Sequence, residues 1–509
     1  MTPRFGSVRR LCRRLQGIVV TAIKLAVCLG IPSSTTATPA QDIAWPLPIA
    51  AQVSERSGGI VLDKPLVDLL ADEFDHGKAH PPTVEWVDPQ PLEEPLPLSQ
   101  PLPTYTTADV WTRDRFEVGY ERGFFIRPRE GEDSPFKLLI NFQDQFRYTG
   151  FVPAQETWTD SAGVVRLISE RNGFDIIRGR VIFSGTAVDP DLSYYLNLDY
   201  GTTGDDRVTV LLGWMSYRFS RSFELFWGKG KVPGGREWLM TSMFSHAPDR
   251  TMATTFFRPS ITTGVWARGK PTDELFYQAI IGNGFNTSAA GFRDLDTNLL
   301  YSGNLGWEPW GEFGGLYSDL PFRDLPAVRF GTSLTQSRQS GRQFDASAAE
   351  QTFIRLSDGT DLTQPDALFP GVTVTDYSVS LATLDAGWKH RGRSLNAEYF
   401  LRWLYDFRGT GPISSADRSL FDHGFYVQGG TFFVPRRWEW IARTSQVFGE
   451  RGNGAEYAAG VNWFPKGTES WRVGADVTYL NRSPASQLRT GYEAGATGTM
   501  FRVQVQMMF

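Results

Sequence analysis

From Gly498 to Phe509 the chain reads G-T-M-F-R-V-Q-V-Q-M-M-F. Phe501, Val503, Val505, Met507 and Phe509 share one parity, and Arg502, Gln504 and Gln506 share the other. Successive side chains of a strand point to opposite faces, so this alternation specifies a strand with one apolar and one polar side. Terminal residues are poorly ordered unless tied down, and a segment patterned to its aromatic last residue reads as one that is tied down. Two architectures accommodate it: an amphipathic edge strand of a soluble sheet, and a wall strand of a closed barrel.

The same period recurs from about Phe136 onward. Tyr194, Leu196, Leu198 and Tyr200 oppose Tyr195, Asn197 and Asp199. Leu299, Tyr301, Leu305 and Trp307 oppose Leu300, Ser302, Asn304 and Glu308. Leu395 to Tyr405 and Trp471 to Tyr479 repeat the pattern, with charges opposite the aromatics. The polar face of a soluble sandwich meets bulk water, whereas that of a membrane barrel lines a lumen. The pattern predicts about sixteen strands of roughly ten residues, the length a tilted strand needs to cross a bilayer.

Connector lengths separate the two architectures. Tiny turns fall at Asp189-Pro190-Asp191, Ser220-Arg221-Ser222, Pro271-Thr272-Asp273, His390 to Arg393, Pro435-Arg436 and Pro465-Lys466-Gly467. Between them lie mostly longer links, at 149–173, 230–260, 285–296, 338–375, 407–421 and 481–497. Short turns at one end and long loops at the other are the outer-membrane pattern. Pro309 to Pro326 is long where a short turn is due. Abundant aromatics, 14% of the chain with 16 Trp and 36 Phe, suit half-apolar strands flanked by aromatic girdles. The fold expectation is therefore all-β: a transmembrane antiparallel β-barrel over 115–509. The C-terminal segment resembles the closing strand of such barrels, whose terminal Phe, here Phe509, is read by the barrel assembly machinery.

The N-terminal region reads as an export signal over 1–40. Arg4, Arg9, Arg10, Arg13 and Arg14 precede an apolar stretch from Leu15 to Ile31 that is broken by Lys24. Small residues follow, with Ala37 or Ala40 before the cut. A membrane anchor is the competing reading, but the stretch is short and charged. Both cysteines, Cys12 and Cys28, lie in this segment, so a mature chain would have neither disulfide nor thiolate chemistry. Residues 41–114 read as a Pro-rich acidic periplasmic segment, mostly disordered, with one short helix over Val61 to Phe74. Of the chain's net charge of −5, residues 41–110 contribute three Lys/Arg against twelve Asp/Glu. The main domain is then nearly neutral, which gives no reason to expect a nucleic-acid partner.

Catalytic signals are weak. No H-E-x-x-H, G-x-S-x-G or Walker-A pattern occurs, and the five His are scattered without ligand spacing. No enzyme activity, cofactor or metal is expected. A barrel-embedded hydrolase and a secreted β-sandwich binding glycans through Trp are the alternatives to a channel. Parity puts Arg147, Arg178, Arg180, Arg268, Lys270, Arg402, Arg443, Arg472 and Arg502 on the polar face, with Asp199, Glu308, Glu398, Asp406, Glu439 and Asp476. These wall charges either select anions or pair with one another. Loop 230–260 is the expected constriction, because its Trp238, Met240, Met243, Phe244, Phe256 and Phe257 call for packing inside something. Arg236, Arg250, Arg258 and Lys231 on that loop, with Arg268 beside it and Arg147, Arg178 and Arg180 on the wall, are the candidate pore and anion-binding residues. Lys229 shares a face with Phe223, Leu225 and Trp227 and belongs at a rim unless the ladder slips at Gly228.

Three groups of residues carry a family resemblance. Tyr120-Glu121-Arg122-Gly123-Phe124-Phe125-Ile126, followed by Phe136-Lys137-Leu138-Leu139-Ile140, resembles the opening of the phosphate-selective porin O/P family. Gly228 to Glu237 and Arg258-Pro259-Ser260 resemble its central stretch. Gly424 to Gly430, Arg443-Thr444-Ser445 and Gly460 to Phe464 resemble its C-terminal part. The resemblance covers roughly 115–509. It implies a trimeric sixteen-stranded anion channel, with outer-membrane lipids, small anionic or polar solutes and the assembly machinery as partners. Strongly phosphate-selective members carry an arginine ladder and a basic constriction; the mixed wall of this chain departs from that pattern.

Overall fold

A computed structural model describes residues 115–202, 208–285, 298–340, 354–413 and 419–509. The signal and the Pro-rich segment with its helix lie outside the described residues. Two short strands, β1 (Phe116–Tyr120) and β2 (Phe124–Pro128), form a hairpin. The wall begins at β3 (Lys137–Pro153) and continues, past a small hairpin of β4 (Thr157–Thr159) and β5 (Val165–Leu167), with β6 (Arg171–Ala187), β7 (Asp189–Tyr200), β8 (Thr209–Ser220) and β9 (Phe223–Lys231). Then come β10 (Ile261–Gly269), β11 (Leu275–Gly282), β12 (Leu300–Trp310), β13 (Ala327–Ser340), β14 (Val374–His390) and β15 (Arg393–Gly409). The last five are β16 (Ser419–Val434), β17 (Trp438–Gly449), β18 (Gly452–Trp463), β19 (Trp471–Asn481) and β20 (Gly498–Met508).

Each wall strand pairs antiparallel with its sequence neighbours, and β20 pairs with β3 from Gly498↔Pro153 to Met508↔Gln143. The barrel is closed with sixteen strands, so the wall has no free edge. The parity of the C-terminal strand is as expected. Phe501, Val503 and Met507 are exposed on the outside, while Arg502, Gln504 and Gln506 are buried inside. Phe509 extends the closure by one residue: its N–H donates to the Phe142 carbonyl at 3.0 Å, and its ring stacks on Phe142 at 5.5 Å. Outward Trp and Tyr, such as Trp307, Trp438, Trp440, Tyr457 and Tyr479, meet the lipid side.

Five of the six short turns fall where the sequence puts them; the first is displaced, because Asp189, Pro190 and Asp191 open β7 and the chain reverses at Val188, with φ +72. Pro309 to Pro326 is a long turn at the same end, and the strand count stands. Parity fails at Asp406. This residue has φ +54, so the strand bulges; its side chain is exposed and Phe407 takes the inward place. Asp406 is therefore not a lumen charge. Lys229 stays outward: Gly228 has φ +133, and Lys229 Nζ donates to the Val210 carbonyl near the end of β9.

Candidate functional site

Loop 232–260 crosses the lumen. It leaves β9, returns to β10, and is fastened to the opposite wall. Its two short α-helices are α1 (Arg236–Leu239) and α2 (Met252–Phe257), with a 3-10 turn over Ser242–Phe244 between them. Thr251 caps α2 with its side chain, and the first free N–H groups of that helix point at wall side chains. Met252 N–H donates to Glu456 Oε2 of β18 at 2.7 Å, and Ala253 N–H to Ser445 Oγ of β17 at 2.8 Å. Arg236 and Glu237 N–H both donate to the Glu398 carboxylate of β15, at 2.7 and 3.3 Å. Gly235 permits that approach, because a Cβ there would lie 2.6 Å from Glu398 Oε1. On β19 and β20, Arg472 Nη1 donates to the Ser245 carbonyl at 2.5 Å and Gln506 Nε2 to the Met243 carbonyl at 2.8 Å. Buried Phe256 and Phe257 pack on Phe400 and Tyr426 of the wall. The aromatic content of the loop is thus spent inside the barrel.

The candidate cations divide by partner. Arg147 Nη2 lies 2.6 Å and Arg178 Nη1 2.9 Å from Asp249 Oδ2 of the loop. Burial by itself raises the Asp249 carboxyl, but the Arg178 and Arg147 guanidiniums outweigh it and hold the group well below the usual carboxylate range. Arg180 pairs with Asp199 at 2.9 Å. Arg250 and Arg258 lie over the Trp238 ring, 5.1 and 4.4 Å from its centroid. Arg236 sits 4.5 Å from both the Phe313 and Tyr317 rings and donates to Asn396 Oδ1 at 3.0 Å. Lys231 Nζ donates to the carbonyls of Trp238, Leu239 and Met240, so it closes the C-terminal end of α1. Arg268 pairs with Glu224 at 3.3 Å and keeps 17% of its side chain exposed, against 1% for Arg147 and Arg178. The structure thus brings Arg147 and Arg178 together on Asp249, and Arg250 and Arg258 on Trp238. Arg180 and Arg268 stand apart on their own wall pairs.

Among the other wall charges, Arg402 pairs with Asp422 at 2.7 Å, Arg443 with Glu456 at 2.6 Å, and Arg502 with Asp476. Arg472 differs: it donates to the Ser245 carbonyl and to Gln506 Oε1. It holds the loop rather than cancelling a carboxylate.

The over-long link between Pro309 and Pro326 is a second insert, whose inward fold its length alone does not specify. Residues 311–326, the long turn between β12 and β13, fold into the lumen beneath the crossing loop. Phe313, Tyr317, Ser318 and Asp319 are buried. Tyr317 shares a hydrogen bond of 2.8 Å with Tyr426 on β16. Ser318 Oγ donates to Glu439 on β17 at 2.7 Å, and Lys389 Nζ of β14 to the Phe313 carbonyl at 2.9 Å. Burial raises the Tyr317 hydroxyl well above the ordinary tyrosine range, so it stays protonated and able to donate. The excess length between Pro309 and Pro326 and its aromatic residues were the available signal.

Residues 155–509 match the family model for phosphate-selective porins O and P. The chain belongs to this family. With its closed barrel, this porin is an outer-membrane channel protein. No curated protein matches it. Among solved structures it is similar to an anion-selective porin from Comamonas acidovorans, at 10% identity and a TM-score of 0.47, over 73% of this chain and 99% of that one. It is also similar to the trimer form of the outer membrane protein OmpT of Vibrio cholerae, at 13% identity and 0.45, over 73% and 99%. The outer membrane channel DcaP of Acinetobacter baumannii gives 9% identity and 0.43, over 73% and 97%.

Proposed function

We propose that this porin is a passive, narrow diffusion channel with a weak to moderate preference for small anions, phosphate among them, that works as a homotrimer without catalysis. The carrying observation is the charge of the crossing loop. It bears Arg236, Arg250 and Arg258, with Lys231 at the strand end that enters it, against Glu237 and Asp249, and Asp249 is committed to Arg147 and Arg178. Charge in a constriction that excludes bulk water acts at a lower effective dielectric than charge on a wide wall. Most wall arginines face carboxylates. The loop therefore supplies the positive field, and Arg268 supplies a reachable cation beside it. Export through residues 1–40 delivers the chain to the assembly machinery, and the Pro-rich segment remains in the periplasm.

Reversal potentials in a salt gradient across a planar bilayer test this reading. The unmodified porin should favour anions, and Arg250→Ala with Arg258→Ala should move the potential toward cation preference. Cation selectivity of the unmodified porin would overturn the assignment. Hydrolysis of lipid or peptide by the purified protein would favour a barrel-embedded enzyme instead.

A further inference from the structure

Inward places on the wall are held by polar groups, such as Gln145, Gln504 and Gln506, or by rings that an insert covers, as Phe256 and Phe257 of α2 cover Phe400 and Tyr426. β7 to β10 depart from both patterns. Tyr195 pairs with Trp214 in the ladder, and Phe226 with Trp266. Both pairs are stacked, with ring centroids 5.1 and 5.4 Å apart and planes inclined by 8°. Trp214 meets Phe226 edge to face at 5.0 Å, so one row of four rings runs across four neighbouring strands. Their parity is inward: Ser216, two residues from Trp214, and Glu224, two residues from Phe226, join inside the wall by a hydrogen bond of 2.7 Å. Tyr195, Phe226 and Trp266 are buried in the row, while Trp214 keeps part of its surface exposed.

A cation stands beside this row. Arg268 Cζ lies 4.1 Å from the Phe226 centroid and 5.8 Å from that of Trp214. Its Nε faces Glu224 at 3.3 Å, and 17% of its side chain is exposed. A guanidinium and an indole, each partly exposed, therefore lie side by side on the lumen face. Arg268 already takes the ring position that a solute cation would seek, so the row invites a negative partner. Inorganic phosphate holds its water firmly and yields it only to several donors. One guanidinium that already faces a carboxylate replaces few of those contacts. An anion with a flat apolar ring needs less: its charge meets Arg268 while its ring leaves water against Trp214. The same charge on a methyl group offers little area to bury.

We propose that Arg268 and the ring row of Tyr195, Trp214, Phe226 and Trp266 form a lumenal binding site for organic monoanions that carry a flat apolar ring beside the charge. This rests on the anion-channel reading above and narrows its solute. Arg268 supplies the attraction common to all anions, and Trp214 supplies the discrimination among them.

Block of the single-channel chloride current in a planar bilayer tests the inference, with benzenesulfonate and methanesulfonate as probes of equal charge. Half-block of the unmodified porin should need about tenfold less benzenesulfonate than methanesulfonate. Trp214→Ala should erase most of that ratio and Trp214→Phe should keep it, whereas Arg268→Gln should weaken block by both probes. Cation selectivity of the unmodified porin would defeat the anion-channel reading, and this inference with it. Anion selectivity with equal half-block by the two sulfonates would defeat this inference alone. So would an unchanged ratio in Trp214→Ala, or stronger block by inorganic phosphate than by benzenesulfonate. Should Trp214→Ala fail to insert, Trp214→Leu fills more of the same space without a ring and is subject to the same criterion.

Discussion

Asp249 accepts a hydrogen bond from Arg147 at 2.6 Å across 102 positions of sequence, joining the crossing loop to the wall strand that closes the barrel. Arg178 shares the same carboxylate. Asp249→Asn leaves two buried guanidiniums without their anion. We expect a loss of about 3–5 kcal/mol at the loop anchor, read as a lower temperature of heat modification in detergent. Reversal potentials should show stronger anion preference, because two cations are unmasked. An unchanged potential would detach this pair from selectivity.

The pH dependence of that anchor has a definite sign. Its folded carboxyl titrates well below the ordinary value near 4. A depressed group contributes its full stabilisation above its unfolded pKa and loses it progressively as pH falls from there toward the folded one. The anchor should therefore be flat from pH 8 to about pH 5. A melting temperature that falls over this range in the unmodified porin but not in Asp249→Asn would contradict it.

The inward turn 311–326 is expected to narrow the channel from the periplasmic end. Replacing 312–325 by a two-residue turn should raise single-channel conductance while leaving insertion intact, since β12 and β13 keep their ladder. Tyr317→Phe removes one buried hydrogen bond to Tyr426, costing about 1 kcal/mol, and should raise current noise more than mean conductance. Unchanged conductance after the deletion would mean that solutes bypass this turn.

The wall was legible because strand parity is covalent geometry. Phe501 and Arg502 take opposite faces whatever else the chain does. Asp406 was misread because one bulge inverts parity and leaves no mark in composition. The crossing loop was legible as packed, from Trp238 and Phe257, but not as anchored. Nothing local in Asp249 says that Arg147 and Arg178 are its partners, or that Arg472 binds a carbonyl while Arg402 binds a carboxylate. Those pairings depend on which strands lie opposite β9, which only closure of the barrel decides.

The Pro-rich segment should be dispensable for conduction. The chain reaches the first described strand at Phe116, in a hairpin outside the wall, and every wall strand lies after Lys137. Joining the signal directly to Val110 should still give an inserted, conducting barrel with unchanged unitary current. Failure to insert would assign 41–109 a part in the fold.

Phe509 should matter more for assembly than for the finished barrel. In the closed wall it exchanges two backbone hydrogen bonds with Phe142 and stacks on its ring at 5.5 Å. Each bond contributes about 1 kcal/mol net and the ring pair about 1 kcal/mol more. That is small against a closed antiparallel ladder of sixteen strands. Phe509→Ser keeps the backbone pairing and loses the ring, so a barrel refolded in detergent should melt only slightly lower. In cells the same variant should reach the outer membrane at strongly reduced levels if the terminal aromatic is read during assembly. Equal membrane levels of the variant and the unmodified porin would show that Phe509 merely completes the wall.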